Sequence, residues 1–459
     1  MRQINRDILK LALPSILANI TVPIVGMVDV AVAGHLSKSA ATMIGGIAIG
    51  SMLFDLLYWN FGFLRVGTGG LAAQAYGRGD RTESARVLAR SLGIALSCAL
   101  ILIAIQWLFV KAAFLFVECT PEVRSLASQY FFIRIWAAPA TLALMALKGW
   151  FIGMQDSVSA MLTDLTVNGM NILMSIVLAL GISIGGWHYE GMGFPGVAAG
   201  TVAAQYSGLL VALMLLLVRF RRNTLCTIRR DDLKGVFKGD QMRRFMTMNA
   251  DLFVRSLCFI AIYIGFTVIS ARYGDTLLAV SSILMKLLMI FSYFTDGFAY
   301  AGEALVGRYI GAGDRQMYRQ TVKWTFVWSM SIALIFMGIY HFAGVPMLKM
   351  MTSDVVVVEA AREYLPWLLL MPVVGCAAFT WDGIYVGATA SRQMRNSMLW
   401  AVVGFGIVWV AGIVILSQSS VGADRYNHLA MHILMAAYFA HLLARTIYLT
   451  ARSKCCFPH

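Results

Sequence analysis

Residues 71–81 read LAAQAYGRGDR, and residues 305–315 read LVGRYIGAGDR. Both stretches end in G-x-G-D-R, and Gly77 and Gly311 stand 234 residues apart (311 − 77), about half of the 459-residue chain. The same spacing returns elsewhere. Gly149-Trp-Phe-Ile-Gly153 matches Gly383-Ile-Tyr-Val-Gly387, and Tyr130 matches Tyr364, each leading into a proline, Pro139 or Pro372. Separated matches at one spacing mark an internal duplication. The glycines of G-x-G-D-R are expected to serve a turn after the second and eighth helices. A GxG with no strand before it is weak evidence for a nucleotide.

Composition says what is duplicated. The chain is 59% hydrophobic and 13% charged, with mean hydropathy +0.73. Soluble domains carry roughly 25% charged residues. A lipid bilayer is the solvent that suits so little polar surface, and a helix needs about 20 apolar residues to cross it. Hydropathy places such helices near 8–34, 42–69, 87–117, 122–153, 157–184, 194–219, 246–272, 276–308, 320–345, 358–389, 393–418 and 427–450. The expected fold is therefore an all-α polytopic membrane protein, with twelve transmembrane helices in two pseudo-symmetric six-helix bundles. Residues 1–218 form the N-lobe, 219–245 a basic linker, and 246–459 the C-lobe with its tail. The start, MRQINRDILKLALP, runs basic residues into the first span without a small-residue cleavage site, so that span is expected to be retained.

The net charge of +14 does not point to nucleic acid. Lys and Arg punctuate the apolar spans and concentrate on the side that holds both termini, which is the cytoplasmic side by the positive-inside rule. The linker, RFRRNTLCTIRRDDLKGVFKGDQMRR, is the richest such segment, and it can touch anionic lipid headgroups. The seven cysteines show no metal-type spacing. The adjacent Cys455 and Cys456 follow basic residues and read as a fraying tail or as an acylation site.

Six spans is an even number, so the halves run parallel, related by an axis along the membrane normal. Transporters of this build rock around a site between their halves. A channel is usually a ring of identical subunits, which a duplicated chain fits less well. The chain is expected to act as a monomer in a bacterial cytoplasmic membrane. No Walker A, HExxH or GxSxG motif is present, so no enzyme is expected and energy must come from an H⁺ or Na⁺ gradient. No cofactor or resident metal is expected.

An ionisable residue at mid-membrane costs about 2.5–3.5 kcal/mol on insertion scales and needs an account. Asp29 stands alone in LALPSILANITVPIVGMVDVAVAGHL, after Pro14 and Pro23, each of which removes a helical hydrogen bond. A carboxylate on a helix with two break points can act as a switch. The structural alternative is an ion pair with Arg65 on the second helix. Asn168 and Asn171 share a face of the fifth helix, and Thr201 and Gln205 stand on the sixth. These amides and hydroxyls line a cavity or bond between helices. In the second half, Asn249, Asp251 and Arg255 lie on the seventh helix, Lys286, Asp296 and Glu303 on the eighth, and Asp382 on the tenth. Asp296 and Glu303, two turns apart, can face one interior. The acids are expected to form a network against Arg255 and Lys286, with Asp382, Glu303 and Asp296 as candidate cation-coupling groups. Aromatic faces in a cavity would attract organic cations.

The lone Asp29 followed by Gly-His-Leu, the Gly-rich ends of the second and eighth helices, and GFPGVAAGTVAAQY resemble multidrug and toxic compound extrusion (MATE) transporters. The FLR stretch at Arg65, DGFAYAGEA at 296–304 and WDGIYVGATASRQMRNSM at 381–398 look like the DinF-type branch. The resemblance covers nearly the whole chain. It implies two six-helix bundles and export of organic, often cationic, compounds against H⁺ or Na⁺ entry. It also implies that Asp29 is a proton-linked carboxylate, that Asn171 and Thr201 belong to its site, that Pro14 marks a bending point, and that Asp382 takes part in cation binding. Ser175 stands where the family often has a second aspartate. A single carboxylate suits a proton better than a metal ion, which needs several oxygens. A lipid-linked precursor flippase of related architecture is the alternative function. A non-transporting scaffold or sensor would not need acids inside the bilayer.

Overall fold

The computed structural model describes residues 2–35, 40–115, 117, 119–184, 187–221, 235–352, 354–419 and 422–456. Among the described residues, twelve helical spans are long and apolar enough to cross a membrane, in the order expected. The α-helices are α1 (Arg2–His35), α2 (Ala40–Trp59), α3 (Phe63–Gly77), α4 (Arg81–Ala113), α5 (Pro121–Arg134), α6 (Ala138–Gly153), α7 (Ser157–Leu180) and α8 (Phe194–Phe220). After the linker come α9 (Asp240–Ala271), α10 (Asp275–Gly311), α11 (Arg315–Met351), α12 (Val355–Gly387), α13 (Ser391–Ser417) and α14 (Ala423–Ala451). Short 3-10 turns interrupt the second and fourth spans, so that α2 with α3, and α5 with α6, each make one crossing. Most of the linker, 222–234, lies outside the described residues.

Several helices begin earlier than hydropathy predicts. Apolar windows stop at charges, but a capped helix does not. Asp80 accepts the Glu83 amide at 2.8 Å, and Asp314 accepts the Met317 amide at 2.9 Å. Each satisfies a first-turn N–H that no helical carbonyl reaches. The polar turns RTESAR and RQMYRQ are thereby helical. The fifth span ends at Leu180 rather than 184, because Gly181 takes φ +82° and turns the chain into a two-stranded hairpin, Ile182–Ile184 with Trp187–Tyr189.

The duplication is visible in backbone angles. Gly79 has φ +70° and Gly313 φ +71°, and the aspartates after them have φ −83° and −86°. G-x-G-D-R is thus a left-handed glycine followed by a capping aspartate. A second turn repeats with non-glycine residues, Gln155 at φ +64° and Thr389 at φ +53°.

The repeated helical glycines serve close packing. A Cβ on Gly149 would overlap the Arg65 carbonyl oxygen, and one on Gly383 would overlap that of Ala299. One turn on, Gly153 meets the Gly69 carbonyl oxygen and Gly387 that of Glu303. All four pairs keep the 234-residue offset (383 − 149, 299 − 65, 387 − 153, 303 − 69). They press α6 onto α3 and α12 onto α10, corresponding pairs in the two halves. Gly383→Ala is expected to push α12 off α10 and cost about 1–3 kcal/mol, as overpacking does. A thermal melt in detergent checks it, and an unchanged melting temperature contradicts the packing role.

The chain folds as two compact units, Leu17–Met246 and Met1–Ile16 with Thr247–His459. The sequence division counts all of the first helix with the N-terminal half, whereas its first sixteen residues pack with the C-terminal unit. There the Trp328 indole N–H donates to Asn5 Oδ1 at 3.2 Å. Gly297 of α10 leaves room for Ala12 and Ile16. The α1 helix is continuous through Pro14 and Pro23, and Pro14 stands two residues before the change of unit.

Candidate functional site

In the N-terminal unit, polar side chains from α1, α7 and α8 meet in an apolar interior. Asp29 is 7% exposed, and Asn171, Ser175 and Thr201 are as buried. The helical spacing from Asn171 to Ser175 puts both on one face of α7. The Ser175 hydroxyl lies within hydrogen-bonding reach of the Asp29 carboxylate and 3.3 Å from Asn171 Oδ1. Asn171 Nδ2 donates to Thr201 Oγ1 at 3.1 Å, and Thr201 donates to the Val197 carbonyl at 3.3 Å. The hydrogen bonds run from Ser175 to the Val197 carbonyl across α7 and α8, with the Asp29 carboxylate of α1 beside the Ser175 end. Asp29 Oδ1 is buried with no hydrogen-bond partner among the described residues. Asn168 lies on a neighbouring stripe and donates to Thr21 of α1 at 2.5 Å. Gln205, one turn past Thr201, is half-buried. Ser175 thus links Asp29 to Asn171, and Asn171 bonds to Thr201 of α8, while Asn168 joins α7 to α1 on its own.

The cation set against Asp29 is Arg134, at the end of α5. Arg65 supplies the backbone carbonyl against Gly149. Arg134 Nη1 donates to the Tyr130 hydroxyl at 3.1 Å, and its guanidinium lies 4.7 Å from the Phe54 ring centroid. Asp55 of α2 also acts on Arg134. The unit therefore has two acids around one arginine, rather than the single acid read from Ser175. Asp55 (SMLFDLLYW) and Arg134 (FFIRIWAAP) carry the same signature as Asp29, a lone charge in an apolar run, and could have been found by it.

In the C-terminal unit, Asp382 of α12 is ion-paired. Its Oδ2 accepts from Arg255 Nη2 of α9 at 2.6 Å and from Arg445 Nη2 of α14. Arg445, a lone charge in HLLARTIYL, is almost fully buried and was missed by the sequence reading. The expected single network of acids is divided. Asp251 accepts from Arg395 Nη1 at 2.6 Å and from the Ser391 hydroxyl at 2.8 Å, tying α9 to α13. Lys286 is exposed and pairs with none of these acids. Asp296 Oδ2 is 3.5 Å from the Ser292 hydroxyl, one turn back on α10. Glu303 is 1% exposed, where α12 presses on α10 through Gly387. The structure does not bring Glu303 into the Arg255–Asp382–Arg445 cluster. No group of three or more His, Cys, Asp or Glu residues able to hold a metal ion occurs among the described residues.

The family model MatE matches residues 14–177 and again 252–414, a spacing of 238 (252 − 14) that falls on the internal repeat. The chain is 34% identical over 397 residues to the DNA damage-inducible protein F of Escherichia coli (strain K12), covering 86% of this chain and 83% of that one. It is 22% identical to a probable multidrug resistance protein NorM of Thermotoga maritima, over 89% and 84% of the two chains. Among solved structures, an outward-facing multidrug resistance MATE family transporter of the MOP superfamily superposes with TM-score 0.84 at 14% identity, covering 99% of this chain and 97% of that one. With two copies of the family model on a twelve-helix duplicated fold, and 34% identity over 397 residues to a relative matched over most of its length, the chain belongs to the MATE family of membrane transporters.

Proposed function

We propose that the chain is a proton-coupled antiporter that exports organic cations by alternating access, with Asp29 as the proton-carrying group. The observation behind this reading is the setting of Asp29. It is an acid in the membrane interior, with its Oδ1 unpartnered and, beside the carboxylate, a hydroxyl that leads to Asn171 and Thr201. Protonated, such a group sits in an apolar interior without a counter-ion; ionised, it draws on Arg134 or on water. That difference between two states is what coupling requires. Three or more oxygens aimed at one point would support Na⁺. Around Asp29 the neighbouring oxygens already bond to one another, which favours the proton. The pair of acids, Asp29 and Asp55, against one Arg134 favours a cationic cargo. The names of the Thermotoga relative, a probable multidrug resistance protein, and of the outward-facing multidrug resistance transporter agree with an organic cargo. We place the chain in the cytoplasmic membrane as a monomer with both termini inside.

The test is a flux assay in proteoliposomes with a panel of cationic dyes, imposing pH and Na⁺ gradients separately. Efflux should follow the pH gradient and ignore Na⁺. Efflux driven by Na⁺ at equal pH would replace the coupling ion. Movement of lipid-linked precursors with no dye movement would replace the cargo.

A further inference from the structure

Where α9, α12 and α14 meet in the C-terminal unit, the charges do not balance. Arg255 and Arg445 both donate to one oxygen of Asp382, and neither pairs with another carboxylate among the described residues. Asp251, the other acid of α9 in this region, is engaged by Arg395 and Ser391. Two guanidiniums and one carboxylate leave one formal positive charge. Each guanidinium offers five N–H donors in a planar fork, and each spends one here. The Nε atoms of both arginines are buried without an acceptor. His441, one turn before Arg445, faces the Tyr438 carbonyl at 2.5 Å and brings no negative charge. A surplus buried charge with idle donors is costly unless an anion joins it.

The cluster also has a closed side and an open side. The Arg445 side chain keeps 2% of its surface, whereas Arg255 keeps 22% and Asp382 17%. The half-buried Phe379 ring lies 5.9 Å from the Arg445 guanidinium and gives an apolar wall beside the charge. An open guanidinium fork at Arg255, in a cluster whose closed side is walled by an aromatic ring, matches a carboxylate on an apolar body, which accepts two parallel N–H bonds.

We propose that the Arg255–Asp382–Arg445 cluster binds the carboxylate of an organic ligand. Arg255 is the docking fork, and Arg445 is the fixed counter-charge. Asp382 is a positioning residue that holds the two guanidiniums together and limits their surplus to one charge. The proposal deepens the export reading by adding a chemical group to the cargo, so that amphoteric molecules fall within its range. It rests on that reading only in calling the ligand a cargo.

Equilibrium binding tests it, with the full chain in nanodiscs of zwitterionic lipid and no gradient. The probes are 2-naphthoate and its methyl ester, followed by calorimetry. The acid should bind at least tenfold tighter than the ester. Arg255→Gln should erase that preference while the Arg445–Asp382 pair remains. Asp382→Asn, if it folds, should keep or sharpen the preference, whereas a cation site would be lost. Equal affinity for acid and ester, or a preference that survives Arg255→Gln, overturns the proposal. So does its loss in a folded Asp382→Asn protein. If Asp382→Asn does not fold, the Arg255→Gln comparison decides. Failure of gradient-driven efflux in a preparation that still prefers the acid would sink the export reading and leave this site standing.

Discussion

Asp29→Asn is expected to abolish efflux driven by a pH gradient while leaving the fold and dye binding in place. The amide has the volume of the protonated acid and keeps a donor for the buried pocket, so packing around α1, α7 and α8 is preserved. What disappears is the ionised state. An equilibrium can be shifted only by the difference in a ligand's affinity for its two states. With no titratable proton at position 29, the gradient has nothing to act on there. A shift from 1:99 to 99:1 needs about 5.5 kcal/mol of differential binding. Losing the proton proposed for Asp29 should therefore lower gradient-driven efflux by about two orders of magnitude or more. Reconstituted vesicles with an imposed pH step measure this. Wild-type rates in Asp29→Asn would remove Asp29 from the mechanism. Ser175→Ala is the gentler control: it removes the hydroxyl between Asp29 and Asn171 but leaves the carboxylate, so coupling should weaken and persist.

The largest effect on stability is expected from Asp382→Asn. The wild-type carboxylate oxygen holds two guanidiniums together. The amide removes the charge that pays for their proximity and leaves two cations facing each other, one of them almost fully buried. Breaking a buried ion pair from one side costs about 3–5 kcal/mol. Arg445→Met in the same protein should recover part of that loss by removing the second cation at similar volume. A double-mutant cycle on thermal or denaturant unfolding then gives a coupling energy. Strictly additive effects would mean that the three side chains do not form one electrostatic unit.

The twelve helices were legible because a bilayer-spanning helix needs only length and apolarity, which composition records directly. The duplication was legible because glycine is demanded by geometry. At 79 and 313 the backbone is left-handed, and at 149 and 383 a neighbouring carbonyl leaves no room for a Cβ. Asp29 was legible as a lone charge with no helical partner. Asp382 was legible as a membrane acid but not as an ion-paired one. Its partners come from α9 and α14, 127 and 63 residues away, and sequence spacing says nothing about such contacts. Asp55 and Arg134 had the same sequence signature as Asp29 and were passed over. The expected network through Lys286 failed because that side chain points out of the unit's interior, a matter of which face of α10 is covered.

The first sixteen residues belong with the C-terminal unit, and this affects how the protein is made. The ribosome delivers these residues ahead of the rest of their unit, and Gly297 and Trp328, which receive them, emerge about three hundred residues later. Until then Asn5, Ala12 and Ile16 lack their final neighbours, and the C-terminal unit cannot be completed from its own stretch of chain. Closing so long a loop carries an entropic cost that rises only slowly with length, but it does set the order of events. The two halves, synthesised as separate polypeptides, should differ in fate. A fragment starting at residue 235 would lack a piece of its own interior, and the missing piece added in trans should rescue it.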